Sequence, residues 1–213
     1  MRITVFGAAG NVGRRVVSEA LSRGHEVTAV VRDPARFDEL PAGAIAHVGD
    51  AANIDDVVRL SHGKDAVVNA TRSATSNRDE VAATTGTLMD GLARTGVRLL
   101  IVGGAASLSV PGTAGRTVLD DPRFLSPATR SIGEASLAQL QVCLAETRVD
   151  WVYLSPPARL FPGLRTGNYR LGTDELLLDS AGHSEISIED LAVVLLDEAE
   201  SPKHHQTRFT TAY

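Results

Sequence analysis

The N-terminal stretch Arg2-Ile-Thr-Val-Phe6-Gly7-Ala-Ala-Gly10-Asn-Val-Gly13 decides the fold. Its first five residues are a short β-branched and apolar run, which reads as a strand. Apolar residues then recur at Val12, Val16, Val17, Ala20 and Leu21, which is helical spacing, and Gly24 stands where a helix-ending glycine belongs. Between strand and helix lie three glycines three residues apart. Gly7 permits a tight turn, Gly10 lets the backbone approach a diphosphate, and Gly13 lets the helix pack close to the strand. The free N–H groups and dipole of a helix N-terminus favour an anion there. Gly7, Ala9, Gly10, Asn11, Val12 and Gly13 are therefore the expected cradle of a dinucleotide.

Beyond this unit, strands and helices alternate. Strands are expected at 25–31, 44–48, 65–70, 97–102 and 149–154. Helical segments are expected at 34–40, 50–60 (with Asn53 near the cap), 77–94 and 127–147, the last with Leu137, Leu140 and Leu144 on one stripe. Strands joined by helices rather than hairpins imply right-handed crossovers and a parallel sheet. The expected architecture is a Rossmann-type α/β doubly wound sheet in the order 3-2-1-4-5-6, with a short seventh strand near 208–212. Two long connections, 103–126 and 155–184, follow strand C-termini, where such sheets bind ligands.

Composition fits this picture. The chain has 213 residues, 43% hydrophobic and 22% charged, which suggests one globular domain over 1–213. Its net charge of −5 gives no electrostatic footprint for nucleic acid or an anionic membrane. One cysteine, Cys143, excludes an internal disulfide framework. With no signal-like start and no long apolar run, a cytoplasmic location and a monomer or homodimer are expected.

The strand ends carry the remaining site candidates. Arg32 follows the second strand, where a site for the unphosphorylated cofactor usually holds an acid. An arginine suits the 2′-phosphate of NADP, although Asp33 beside it can serve the ribose instead. Arg36 either assists or lies on a solvated face. Asp50 either receives the adenine amino group or caps the next helix. Asn69, Ala70 and Thr71 end the fourth strand beside the expected diphosphate and nicotinamide ribose. Gly103-Gly104-Ala-Ala-Ser107 ends the fifth and permits close approach of cofactor or substrate.

Val5-Phe-Gly-Ala-Ala-Gly-Asn-Val-Gly13, Val30-Val-Arg-Asp33, Val48-Gly-Asp50 and Leu154-Ser-Pro-Pro157 together resemble the atypical short-chain dehydrogenases. The nearest groups are the NAD(P)H-binding, NmrA-like proteins, including flavin reductase/biliverdin reductase B and bacterial NADH-flavin reductases. The resemblance covers essentially the whole chain, including 166–172 and 186–190. It implies NADPH across the carboxyl edge of the sheet, with Pro156 and Pro157 near the nicotinamide. The chain departs from the typical short-chain dehydrogenase in one decisive way. That family uses a tyrosine with a lysine four residues later, and here the tyrosines are Tyr153, Tyr169 and Tyr213 and the lysines only Lys64 and Lys203. The helix that would carry the pair holds Ser131, Glu134, Ser136, Gln139 and Gln141 instead.

The expected function is thus an NADPH-dependent oxidoreductase that passes hydride to a small-molecule acceptor of flavin or quinone type. The alternatives are a non-enzymatic NADP(H) sensor and, disfavoured by the missing pair, a sugar-nucleotide epimerase or dehydratase. Ser107 and Tyr169 are the candidate catalytic groups, each as a substrate-positioning hydroxyl. The acceptor pocket is expected from 103–108, 156–161 and the Tyr169 region, with 110–126 as a lid. The plainer readings are that Ser107 fixes its own loop and that Tyr169 lies in a turn. Cys143 reads as inert core, His204-His205 as a surface pair with no metal, and Ser187 with Asp190 as a capping box.

Overall fold

A computed structural model describes residues 1–73 and 76–213. The central strand β1 (Arg2–Phe6) is flanked on one side by β2 (Glu26–Val31) and β3 (Ile45–Val48). On the other side lie β4 (Ala66–Asn69), β5 (Arg98–Val102) and β6 (Trp151–Ser155), all parallel. The expected order 3-2-1-4-5-6 is therefore the observed one. The ends of three strands align at one edge, Phe6 opposite both Val30 and Asn69.

Side chains of β1 alternate between two cores. Ile3 and Val5 join a cluster with α1 (Asn11–Ser22) and α5 (Ile188–Glu200). Phe6 joins a second cluster on the opposite face with α2 (Ile54–Ser61), α3 (Arg78–Thr95) and α4 (Arg130–Ala145). A parallel sheet covered on both faces needs apolar residues at nearly every position, and β2 is buried from Val27 to Val31. Complete burial of each such side chain contributes about 1.5–3 kcal/mol.

The sequence reading misses three short strands. β7 (Arg159–Phe161) pairs in parallel with β9 (Glu185–Ser187), and β8 (Arg170–Gly172) runs antiparallel to β10 (Thr207–Ala212) at the sheet edge. β10 is the expected seventh strand, parallel to β6. The helix stripe expected on α4 is also corrected. Leu140 and Cys143 face inward, whereas Leu144 is 62% exposed. Gly133, Ala135 and Ala138 are buried on α4 as well, and a Cβ on Gly133 would collide with Leu119 and Leu125.

The capping box at α5 is half right. Ser187 caps the helix by accepting from the Asp190 amide, at 2.9 Å. The Asp190 carboxylate does not return to the Ser187 amide, which donates to the Tyr213 hydroxyl. It instead accepts from the Thr166 and Gly167 amides and the Thr166 and Tyr213 hydroxyls, at 2.6–2.8 Å. One buried carboxylate thereby ties the 162–169 connection to α5.

Candidate functional site: a dinucleotide cleft

A cleft of about 570 Å³ opens along the carboxyl edge of the sheet. Its floor is the glycine turn. Gly7 has φ +77°, and a Cβ there would lie 2.6 Å from the Ala70 carbonyl oxygen, so only glycine fits. A Cβ on Gly13 would lie 2.1 Å from the Gly7 oxygen, which explains how α1 comes so near the turn. Gly10 differs. Its added Cβ would meet only the Gly7 oxygen, at 3.1 Å, and Ala70, at 4.0 Å, while the residue itself lines the cleft. No side chain caps α1 and no acid stands in its first turn, so its N-terminus is left for an anion. Ala9, Asn11 and Val12 line the same wall.

At one end of the cleft lie Arg32, Asp33, Arg36 and Asp50. Asp33 caps the short 3-10 turn at Pro34–Glu39, its Oδ1 accepting from the Ala35 amide at 2.9 Å. Arg32 is exposed and has no hydrogen-bond or ion-pair partner among the described residues. Arg36 pairs with Glu39 and donates from Nη2 to the Ala9 carbonyl at 2.8 Å, so it braces the glycine turn. Asp50 does not cap α2. Asn53 does, accepting from the Asp55 and Asp56 amides, while Asp50 Oδ1 accepts from the Ala52 amide at 2.9 Å.

The other end is built by the segment after β4 and by α3 and α4. Asn69 is buried, and its Oδ1 accepts from the amide and hydroxyl of Thr71 at 3.1 and 2.7 Å. Its Nδ2 has no partner among the described residues. Ala70 and Thr71 line the cleft, followed by Arg72 and Ser73, by Glu80, Val81, Thr84 and Thr85 from α3, and by Gln139 from α4. Ala70 and Thr71 are expected from the sequence, and the rest of this wall is not. Its one signal is that Gln139 lies on the helix lacking the tyrosine–lysine pair.

Several expected site residues lie elsewhere. Gly103, Pro156 and Pro157 are not among the cleft-lining residues, and neither are Gly13 and Asn69, which lie beneath the cleft. A Cβ on Gly103 would lie 2.0 Å from the Tyr153 ring, and one on Gly104 would lie 2.6 Å from Ser136. The glycine pair therefore admits a core tyrosine and α4 rather than a ligand. The Tyr153 hydroxyl donates to the Ser136 carbonyl and accepts from the Gly104 amide, and burial pushes its pKa up. The Ser107 hydroxyl accepts from Arg208 Nη1 at 2.7 Å, and Arg208 pairs in turn with Asp174. Tyr169 packs against the α1/α5 core and bonds to Asp197. Burial, then that carboxylate, pushes its pKa up to about 12.

The 110–126 segment is not a free lid. Leu108, Val110, Val118 and Leu176 form a third cluster, and Leu119 donates to the Ala106 carbonyl at 3.0 Å. Cys143 is fully buried, which raises its thiol pKa to about 12. His204 turns to Glu198 and His205 to Asp150. Among the described residues no cluster is poised for a metal ion, and no helix is long and apolar enough to cross a membrane.

The glycine cradle and the uncapped helix in a parallel sheet of this order define a dinucleotide-binding protein of the Rossmann class. The residues fit such a cofactor: Gly10 leaves open the space a side chain would fill, the buried Asn69 Nδ2 has no partner among the described residues, and Gln139 lines the cleft. Residues 7–202 match the model of the NAD(P)H-binding family, and the chain belongs to that family. It is 34% identical to the uncharacterized protein YwnB of Bacillus subtilis (strain 168), over 99% of this chain and 97% of that protein. Among solved structures it resembles a protein of Bacteroides thetaiotaomicron provisionally named an epimerase. There the TM-score is 0.89 and the identity 38%, over 100% of this chain and 96% of that one. It also resembles a Streptococcus pneumoniae TIGR4 protein provisionally named an NADH-flavin reductase. That match has a TM-score of 0.83 and 30% identity, over 100% and 99% of the two chains.

Proposed function

We propose that this protein is an NADPH-dependent oxidoreductase that reduces a flavin- or quinone-like ring. The observation that carries the cofactor choice is the contrast between Arg32 and Asp33. The aspartate is engaged in capping its own turn, and the arginine beside it is exposed at the cleft without a partner among the described residues. A free guanidinium there suits a 2′-phosphate by charge-assisted hydrogen bonds. Gly7 to Gly13 would hold the diphosphate, Arg32 the 2′-phosphate and Asp50 the adenine amino group.

When bound, the nicotinamide supplies a hydride. The chain supplies no tyrosine–lysine pair, and the Ser107 and Tyr169 hydroxyls are engaged elsewhere. A delocalised ring suits such a site, because it accepts a hydride at one ring atom and a proton from water at another, giving the dihydro form. The protein then needs only to hold donor and acceptor in contact and exclude competing geometry, and proximity carries most of the rate advantage. The names given to the Streptococcus and Bacteroides relatives point to different chemistries. Epimerisation needs a positioned acid and base, and the missing pair favours reductase chemistry here. The test follows nicotinamide absorbance with free flavin as acceptor. Turnover with NADPH exceeding that with NADH supports the reading, and no turnover above the protein-free rate overturns it.

A further inference from the structure

Gln139 lies in the middle of α4 and is only 6% exposed, yet it lines the cleft. The helix face around it is apolar or small: Gly133, Ala135, Ala138, Leu140 and Cys143. Packing alone would accept an apolar residue there. The Gln139 amide makes no hydrogen bond to any described residue. Its polar atoms are not sealed off inside the core, so the amide is presented to the cleft. Its natural partner is therefore something that enters the cleft.

The position of Gln139 says which part of a ligand it meets. Arg32, Asp33 and Asp50 mark the end of the cleft beside β2 and β3, and Gly10 lies on the glycine turn between the two ends. Gln139 stands at the opposite end, with Thr84 and Thr85 of α3. A dinucleotide laid across the carboxyl edge with its adenosine at the first end places its other half at the second. The α3 groups named beside Gln139, Thr84 and Thr85, are uncharged, and the same end also carries Arg72 and Glu80. The Thr85 hydroxyl donates to the Val81 carbonyl at 2.8 Å, which leaves it an acceptor only. Glutamine adds a donor and an acceptor side by side. That pairing complements vicinal hydroxyls or a carboxamide, and the nicotinamide-riboside half carries both.

We propose that Gln139 is a cofactor-binding residue that hydrogen-bonds the nicotinamide-riboside half of the dinucleotide. The assignment rests on the NADP(H) reading above. It gives α4 a neutral contact on the helix where the typical short-chain dehydrogenase carries a titrating pair.

The experiment measures NADP⁺ and 2′,5′-ADP binding to the full chain by calorimetry, for the wild type and for Gln139→Leu. 2′,5′-ADP keeps the adenosine and 2′-phosphate and lacks the nicotinamide riboside. Loss of one hydrogen bond of about 1.4 kcal/mol predicts about a tenfold weaker NADP⁺ affinity. Affinity for 2′,5′-ADP should stay unchanged. Thermal melting of the ligand-free variant should be no lower than wild type, since the substitution removes an unpartnered amide. Unchanged NADP⁺ affinity, an equal loss for both ligands, or a lowered melting temperature would each overturn the assignment. Gln139→Asn, which keeps the amide on a shorter stem, supplies a second variant, expected to melt like wild type and to bind NADP⁺ more weakly. Wild-type protein that binds neither ligand would overturn the NADP(H) reading itself and the contact with it. Wild-type protein that binds both, beside a variant that binds NADP⁺ equally well, would overturn the contact alone.

Discussion

The Arg36 guanidinium donates to the Ala9 carbonyl at 2.8 Å while pairing with Glu39, so a side chain from the turn after β2 props the glycine turn after β1. This makes Arg36 a brace and leaves Arg32, among the described residues, as the unpaired cation at that end of the cleft. Arg36 is half exposed, so its contribution is about 0.5–1 kcal/mol. Arg36→Ala should weaken NADPH and NADH binding alike, by about two- to fivefold. Calorimetry with both cofactors checks this, and a loss confined to NADPH would make Arg36 a phosphate ligand instead.

Two glycines of the same turn should respond differently to a side chain. Gly13→Ala forces a Cβ to 2.1 Å from the Gly7 oxygen, so it must shift backbone, at about 1–3 kcal/mol or more. Gly10→Val meets the same oxygen only at 3.1 Å and otherwise projects into the cleft. Melting temperature should fall clearly for Gly13→Ala and little for Gly10→Val, whereas Gly10→Val should abolish cofactor binding. A folded Gly10→Val protein with wild-type affinity would contradict the cradle.

Ser107→Ala and Tyr169→Phe should each retain flavin reduction within about tenfold of wild type, since neither hydroxyl faces the cleft. Loss on the order of 10³-fold in either, at unchanged cofactor affinity, would mark a true proton donor.

Asp190 gives a pH-dependent prediction. Burial opposes its ionisation, but the donors of Thr166, Gly167 and Tyr213 outweigh that and hold its carboxyl below the usual range. Its contribution to stability is therefore complete above the unfolded carboxyl value of about 3.9 and is lost as pH falls through the folded value. Asp190→Asn should cost about 1–3 kcal/mol at neutral pH and flatten the acid limb of stability below about pH 4. Denaturant unfolding across pH checks both. An equally steep acid limb in the variant would place that dependence elsewhere.

Local pattern made the parallel sheet legible, because each βα unit carries its own signals. β-branched runs, helical spacing and the cap Asn53 all sit where the chain uses them. The glycine cradle was legible for the same reason: Gly7, Gly10 and Gly13 act within seven residues of each other. What failed was non-local. β7, β8 and β9 have three residues each and exist only through partners such as Thr210 and Ala212. The sequence offers Gly103 as space for a ligand, and only the fold shows the Tyr153 ring occupying that space. Tyr169 looks like a pocket residue in a long loop until Asp197, 28 residues later, takes its hydroxyl. Gln139 was visible as a polar residue on a helix but not as a cleft residue, since that depends on how α4 is rotated against α3.

Cofactor choice is the central claim, and calorimetric titration of Arg32→Ala with NADPH and with NADH tests it most directly. A charge-assisted hydrogen bond to the 2′-phosphate is worth about 1.5–3 kcal/mol, so NADPH affinity should fall about ten- to hundredfold. NADH affinity should stay within about twofold of wild type. An equal change for the two cofactors, or none for either, would contradict the assignment of Arg32 as the phosphate-reading residue.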